Sequence, residues 1–159
     1  KEAYIKIKMN SFTSYKMVDK LYEASRAGVK IQLIIRGICC LVPGIKGMSE
    51  NIEAISIVDK FLEHTRLFAF ANGGNPKIYI SSADWMTRNL DYRVEVGCPI
   101  YDEDIKNELM DTFEICWKDN MKARVFNEKQ DNAYRKTTVP RIRSQFATYE
   151  YYAKDVKKK

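Results

Sequence analysis

The first 35 residues contain the pattern that most restricts the fold of this chain. Ala3–Met9 alternates apolar and polar residues as a strand does, and Val29–Ile35 is a second strand-like run. Between them, Tyr15–Ala27 has apolar residues at helical spacing, and Gly28 follows where a helix end favours glycine. A strand, a helix and a strand of these lengths predict a βαβ unit with parallel strands and a right-handed crossover.

The rest of the chain extends this unit into a larger sheet. Further strands are predicted at Ile52–Val58, Leu67–Ala71, Lys77–Ser81 and Tyr92–Ile100, with an edge strand at Met121–Phe126. Helical structure is predicted at Asp59–Glu63, at Glu103–Lys118 behind the N-cap Asp102, and from Pro140 onward. We therefore expect one α/β domain over residues 1–159, a mixed β-sheet with helices on both faces.

The charge of the chain is concentrated near its C-terminus. The net charge is +6, and residues 121–159 hold eleven Lys and Arg against four Asp and Glu, which leaves the rest near neutral. A basic C-terminal third attracts polyanions such as nucleic acid, phosphates or anionic lipid, although Lys157–Lys159 is also typical of a solvated tail. No apolar run approaches a membrane span, so we expect a cytoplasmic protein, with peripheral membrane association as a second hypothesis.

Two further features concern the setting of the chain. It starts at Lys1 and enters a strand within a few residues, which indicates a fragment of a longer protein with domains upstream. Its four cysteines (Cys39, Cys40, Cys98 and Cys116) contain no CxxC pair. The cysteine pattern therefore favours buried free thiols in a reducing compartment over a zinc site or a disulfide.

Arg36 directly follows the second predicted strand. Ligands of α/β proteins bind beyond the carboxyl ends of strands, so Arg36 stands where an anion could be held. A guanidinium can bind phosphate through two parallel hydrogen bonds. The alternative is a structural ion pair with a nearby carboxylate.

A second group of polar residues surrounds the single histidine, His64. Arg66 lies two residues further on and would share its side of an extended strand. Ser82, Asn89 and Glu95 add a hydroxyl, an amide and a carboxylate. Such a set suits phosphoryl transfer, in which an imidazole acts as nucleophile or acid and cations stabilise the phosphoryl oxygens. A purely structural histidine is the alternative.

This spacing resembles a half-site of the phospholipase D superfamily. The matching positions are His64-x-Arg66, a strand, the turn Ser81–Trp85, and then Asn89, Arg93 and Glu95. In that superfamily two halves face each other, and one histidine forms a phospho-enzyme while the other acts as an acid. Its pattern has Lys where this chain has Arg66 and commonly Gly-Ser where this chain has Ser81-Ser82. These differences argue against an ordinary phospholipase or nuclease.

Longer segments resemble a narrower family, the C-terminal domain of polyphosphate kinase. They lie in collinear order along nearly the whole chain: IIRGICCLVPG (Ile34–Gly44), SENIEAISIVDKFLEHTR (Ser49–Arg66), NGGNPKIYISSADWMTRNLDYRVEV (Asn72–Val96) and RSQFATYEYY (Arg143–Tyr152). The resemblance implies reversible transfer of the terminal phosphate of ATP to inorganic polyphosphate, with magnesium and a phosphohistidine. It also implies that this phosphohistidine and the magnesium ligands lie in missing upstream domains.

By this resemblance His64 is the partner acid/base that also contacts nucleotide phosphate, and Arg36 is a ligand of the ATP phosphates. We add Arg66, Arg88 and Arg93 as predicted phosphate contacts, with structural pairing as the alternative for each. Ser82, Asn89 and Glu95 are predicted to support the site. The expected partners are ATP or ADP, inorganic polyphosphate, the upstream domains and further copies in a homo-oligomer of the full-length protein.

Two other functions stay open at this point. One is a homodimeric phospholipase-D-like phosphodiesterase or nuclease, in which two copies of His64 face each other. The other is a non-catalytic module that binds polyanions through its basic C-terminal third. For the polyphosphate kinase hypothesis we expect the isolated fragment to be inactive.

Overall fold

Seven strands form one mixed sheet in the computed structural model, which describes residues 2–136 and 139–156. The strands are β1 (Tyr4–Met9), β2 (Lys30–Ile35), β3 (Ile52–Ile57), β4 (Leu67–Phe70), β5 (Lys77–Ser81), β6 (Gly97–Ile100) and β7 (Ala123–Val125). The α-helices are α1 (Tyr15–Arg26), α2 (Glu103–Trp117) and α3 (Ser144–Val156), with a 3₁₀ turn at Asn72–Gly74 and a π-helical turn at Arg88–Tyr92.

The strand order is β6-β5-β4-β1-β2-β3-β7. β1, β2 and β3 are parallel neighbours, and α1 connects the first two, which confirms the predicted βαβ unit. β4 runs antiparallel to β1, β5 to β4, and β6 to β5, while β7 closes the other side antiparallel to β3. Helix α1 ends where Gly28 adopts a φ of 85°, a conformation that glycine tolerates best.

The core has two layers because side chains of a strand alternate between the faces of the sheet. On β2, Leu33 and Ile35 belong to the cluster that packs with Val18 and Leu21 of α1. Ile34 belongs to the opposite cluster, which contains Phe113 of α2. Helix α3 lies against α2 on that second face. The prediction of a mixed α/β sheet with helices on both faces is therefore confirmed.

One edge of the sheet collects the polar residues that the sequence singled out. The carboxyl ends of β1, β2, β3 and β5 meet there with the amino ends of β4 and β6, because Lys8 pairs with Leu67 and Ser81 pairs with Gly97. We call this the site edge, and it comprises residues 10–11, 36, 58–66, 81–85 and 93–96.

Three local predictions were wrong. Asp59–Glu63 is irregular rather than helical, and only Gly97–Ile100 of the strand predicted at Tyr92–Ile100 pairs with β5. The last helix begins at Ser144 rather than at Pro140. Its start is set from outside the segment, because the carboxylate of Asp119 accepts a hydrogen bond from the Ser144 backbone N–H at 2.7 Å.

The cysteines are only partly as predicted. Cys116 is buried and Cys39 is half-buried, but Cys40 and Cys98 are exposed. Burial raises the pKa of the Cys39 and Cys116 thiols to about 11. The predicted lysine tail, Lys157–Lys159, lies outside the described residues. None of the helices in the described part of the chain is long and apolar enough to span a bilayer.

Candidate active site

His64 lies in the irregular segment that leads into β4, at the site edge. The residue is exposed, and its ring makes no hydrogen bond to any other residue within 2–136 and 139–156. Its backbone is held on both sides. The guanidinium of Arg36 donates to the carbonyl oxygen of Glu63 at 2.8 Å, and that of Arg66 donates to the carbonyl oxygen of His64 at 3.1 Å.

Arg36 follows β2 directly, as the sequence predicted, and it is half-buried. Its own carbonyl oxygen accepts a hydrogen bond from the Ser56 hydroxyl at 3.2 Å, which ties it to the end of β3. The one protein partner found for its side chain among the described residues is the neutral carbonyl of Glu63. The positive charge of Arg36 is therefore not cancelled by a carboxylate, and it remains available for an anion.

Arg66 has a different environment. Its Nε and Nη2 donate to Oδ1 and Oδ2 of Asp84 at 3.0 and 3.3 Å. The two side chains are 18% and 6% exposed. Burial by itself would raise the pKa of Asp84, but hydrogen bonds from Arg66 and from the Asn10 backbone N–H outweigh it and lower the pKa. The alternative that the sequence left open for Arg66, a structural pair, is thus present in the fold.

Ser82, Asn89 and Glu95 form one hydrogen-bonded group beside this pair. The carboxylate of Glu95 accepts from the Ser82 hydroxyl and, at 2.6 Å, from Nδ2 of Asn89. These two donors, Ser82 first, lower the pKa of Glu95. The Ser82 hydroxyl in turn accepts from the Val96 backbone N–H at 3.0 Å. The three residues that were predicted to support the site are therefore brought together, although within the described residues none of them makes a hydrogen bond to the His64 ring.

The two other predicted phosphate contacts are less constrained. Arg88 begins the π-helical turn, Arg93 follows it, and both are exposed. Neither side chain makes a hydrogen bond or an ion pair with another residue of the described ranges. The charge of Arg93 contributes to the lowered pKa of Glu95. Nothing in these contacts assigns either arginine to phosphate, so both stay predictions.

The structure adds residues that the sequence did not single out. Lys8 of β1 pairs with Glu63, and Gln145 of α3 exchanges two hydrogen bonds of 2.9 and 2.8 Å with the backbone of Phe61. Arg143 pairs with Asp59 at 2.7 Å. These contacts fasten the segment before His64 to the rest of the fold. The resemblance of Arg143–Tyr152 to a known family was the one signal for them, and it gave no contact partner.

The carboxylates of the site edge are all engaged. Asp59, Glu63, Asp84 and Glu95 each bind a cation or amide and hydroxyl donors of the protein. No cluster of three or more His, Cys, Asp or Glu suited to a metal ion occurs among the described residues. The chemistry this edge offers is an exposed imidazole beside an uncompensated guanidinium. These are groups for proton transfer and for binding phosphate.

Comparison with known proteins decides the family. A family model described as polyphosphate kinase C-terminal domain 2 matches residues 1–145. The chain belongs to the polyphosphate kinase family. It is 50% identical over 156 residues to the polyphosphate kinase of Vibrio parahaemolyticus and 46% identical over 152 residues to that of Escherichia coli K12. The family predicted from the collinear segments is thereby confirmed.

The matches also show how much of a polyphosphate kinase this chain represents. They cover 95% and 92% of the chain but 22% of each of these two relatives. The crystal structure of a polyphosphate kinase from Porphyromonas gingivalis superposes with a TM-score of 0.96 at 41% identity, over 100% of this chain and 24% of that one. The chain thus spans less than a quarter of its polyphosphate kinase relatives.

A second comparison concerns the fold alone. Nuc from Salmonella typhimurium, a phospholipase D family member, superposes with a TM-score of 0.61 at 14% identity. The alignment covers 80% of this chain and 84% of Nuc. The predicted phospholipase-D-like architecture is therefore confirmed.

Proposed function

We propose that this domain supplies one half of the active site of a polyphosphate kinase, an enzyme that reversibly transfers the terminal phosphate of ATP to inorganic polyphosphate. Membership of the family supports the reaction class. The observation that carries the assignment of residues is the 2.8 Å hydrogen bond from Arg36 to the carbonyl of Glu63, directly before His64. It holds a cation without a carboxylate partner against the backbone directly before the exposed His64.

In this proposal His64 is the partner acid/base, and Arg36 binds the phosphates of ATP. An imidazole near neutral pH can give a proton to a leaving oxygen and take one in the reverse direction. The guanidinium of Arg36 stabilises charge on the phosphoryl oxygens. The nucleophilic histidine that carries the phosphoryl group belongs to an upstream domain. Arg93 adds a cation at the same edge, and Arg88 adds one in the adjoining π-helical turn.

Magnesium would be held elsewhere. Octahedral magnesium sites use carboxylate oxygens, and every carboxylate at the site edge already accepts hydrogen bonds from protein groups. The carboxylates of the site edge therefore do not fit a magnesium site. Its ligands are expected in the upstream domains.

The phosphodiesterase alternative finds less support. In that reading Arg66 would be the second cation for the phosphodiester, but its charge is balanced by the buried carboxylate of Asp84. A direct test is to incubate the chain alone with a phosphodiester substrate. Turnover that disappears in His64→Ala would favour the alternative.

The polyanion-binding alternative and the cellular setting are tested separately. A binding module would hold polyphosphate in a salt-sensitive manner that survives His64→Ala and is lost when cations of residues 121–159 are neutralised.

We expect the full-length protein to be a homo-oligomer of the cytoplasm. Size determination in solution and cell fractionation would check both expectations, and fractionation would also detect peripheral membrane association.

The main test uses the full-length enzyme. We expect His64→Ala to lower the rate of polyphosphate synthesis about 10²–10⁴-fold, and Arg36→Ala about 10²–10³-fold. Arg26→Ala is the matched control, because this exposed arginine ends α1 at the opposite edge of the sheet. Retained activity in both site variants would contradict the assignment. Phosphohistidine formation from ATP by the isolated chain would refute the half-site.

A further inference from the structure

We propose that Asp84 is a positioning residue of this half-site, and that Arg66 transmits its hold to the backbone of His64. Arg66 then has a structural role, connecting Asp84 to the His64 backbone, and is not a ligand of phosphate. The inference rests on the proposed function of His64, and it adds Asp84, a residue for which neither the sequence nor the family comparison gave a role.

The carboxylate of Asp84 joins three segments of the site edge. It lies after β5, accepts a hydrogen bond from the Asn10 backbone N–H after β1 at 2.9 Å, and binds Arg66 before β4 through both oxygens. Asp84 is 5% exposed. The neighbouring Trp85 strengthens the junction, because its carbonyl accepts from two backbone N–H groups of the β1 loop at 2.9 Å. A buried group with this many fixed partners has little freedom to move.

All three nitrogens of the Arg66 guanidinium have protein acceptors. Nε and Nη2 bind Asp84, and Nη1 binds the carbonyl oxygen of His64 at 3.1 Å. The carboxylate also balances the charge that a phosphate ligand would need. A planar guanidinium bound at all three nitrogens instead makes a rigid bridge between the buried carboxylate and the histidine backbone.

The His64 ring has no hydrogen bond of its own within the described residues, so its position depends on how its backbone is held. The carbonyls of Glu63 and His64 are bound by Arg36 and Arg66 respectively, so both peptide planes around the histidine are fixed. An acid/base works only within hydrogen-bond reach of the proton it transfers, and a misplacement of about 1 Å can cost about 10²-fold in rate. Releasing Arg66 should therefore affect the chemical step.

The test measures kcat and KM for ATP in the full-length enzyme carrying Asp84→Asn, Arg66→Lys or both changes. The proposal predicts that each single change lowers kcat about tenfold to a hundredfold, with KM for ATP changed less than about twofold. The double variant should be no worse than the more affected single variant, since both changes break the same connection. Glu114→Gln is the matched control. It breaks the half-buried ion pair between Glu114 of α2 and Lys6 in the middle of β1, and it should leave kcat unchanged.

A phosphate-binding Arg66 would give the opposite pattern. Arg66→Lys would then raise KM for ATP, while Asp84→Asn would leave kcat near the wild-type value because it frees the guanidinium. That outcome overturns the proposal. If Asp84→Asn does not accumulate as folded enzyme, Arg66→Lys decides alone, because lysine keeps the charge but cannot bridge Asp84 and His64 together. Unchanged activity in His64→Ala would instead contradict the proposed function itself. Failure of the positioning role of Asp84 and failure of the proposed function can thus be distinguished.

Discussion

Two arginine–aspartate pairs hold the opposite ends of the segment that carries His64, and they differ in how deeply they are buried. At its start, Arg143 of the segment leading into α3 binds both oxygens of Asp59 at 2.8 and 2.7 Å. At its end, Arg66 binds both oxygens of Asp84. The aspartates are similarly enclosed, 3% and 6% exposed, but Arg143 is 32% exposed and Arg66 18%.

The difference shows that one ion-pair motif can serve two purposes. Arg143 lies over the ring of Phe146 at 4.5 Å and links the segment to a neighbouring helix, at a position where water can reach the guanidinium. Asp84 also satisfies the Asn10 backbone N–H, and Arg66 also reaches the His64 carbonyl. The first pair fastens the segment, whereas the second also organises the residues next to the histidine.

The largest effect is expected from removing Asp84, the carboxylate whose arginine partner is the more buried of the two. Asp84→Ala leaves Arg66 without its counter-ion and Asn10 with an unpaired backbone N–H, so we expect a loss of about 3 kcal/mol in the free energy of unfolding. Chemical denaturation of the 159-residue chain measures this loss. A loss near zero would mean that the pair contributes nothing that water cannot replace, and the contrast between the two pairs would disappear.

A smaller loss is expected for Asp59→Ala. Arg143 can turn to solvent once its partner is gone, so the loss should be roughly half of that for Asp84→Ala under the same conditions. Equal losses from the two variants would indicate that exposure of the arginine does not determine how much each ion pair contributes to the free energy of unfolding.

The smallest expected effect is a difference between the two pairs in how stability depends on pH. The pKa of both aspartates is lowered in the folded protein, for Asp59 chiefly by the hydrogen bond from Arg143. A lowered pKa contributes stability that is present above the ordinary aspartate pKa of about 3.9 and is lost as the pH falls through the folded value. The difference in the free energy of unfolding between wild type and Asp84→Asn should thus be constant above about pH 5 and become smaller below about pH 4.

The same titration on Asp59→Asn provides the comparison. For both variants the difference in free energy of unfolding from wild type should disappear in acid. Above about pH 5 it should be larger for Asp84→Asn than for Asp59→Asn. A difference for Asp84→Asn that persists to about pH 3 would mean that the amide loses packing rather than an ionic interaction.

Much of the sheet could be predicted because its signals are local. In α1, the buried Val18, Leu21 and Ser25 follow helical spacing, and Gly28 marks the end of the helix. The position of Arg36 also followed from a general rule, that ligands bind beyond the carboxyl ends of strands. Strand alternation alone placed Leu33 and Ile34 on opposite faces of the sheet.

The errors arose where distant residues override local pattern. Arg93–Val96 alternates like a strand, yet Glu95 turns its carboxylate to Ser82 and Asn89 instead of extending β6. The start of α3 is fixed by Asp119, which lies 25 residues earlier. No periodicity within a short window contains such partners.

The part of the site that the sequence did not reveal has the same cause. Asp84 was visible as one of several polar residues after β5, but its partners lie 18 and 74 residues away, at Arg66 and Asn10. Its importance depends on burial and on the strand order, which puts β4 between β1 and β5. Family resemblance supplied roles for His64 and Arg36 and was silent on what holds them.

The strand order also bears on how the domain folds. A contact across 74 residues closes a long loop, and it comes within reach only after β1, β4 and β5 have taken their places in the sheet. We therefore expect the Asp84 junction to form late, after the barrier to folding has been crossed. An interaction that is absent from the transition state slows unfolding and leaves the folding rate almost unchanged. On this expectation the Asp84 junction slows the opening of the folded domain and has little part in guiding its assembly.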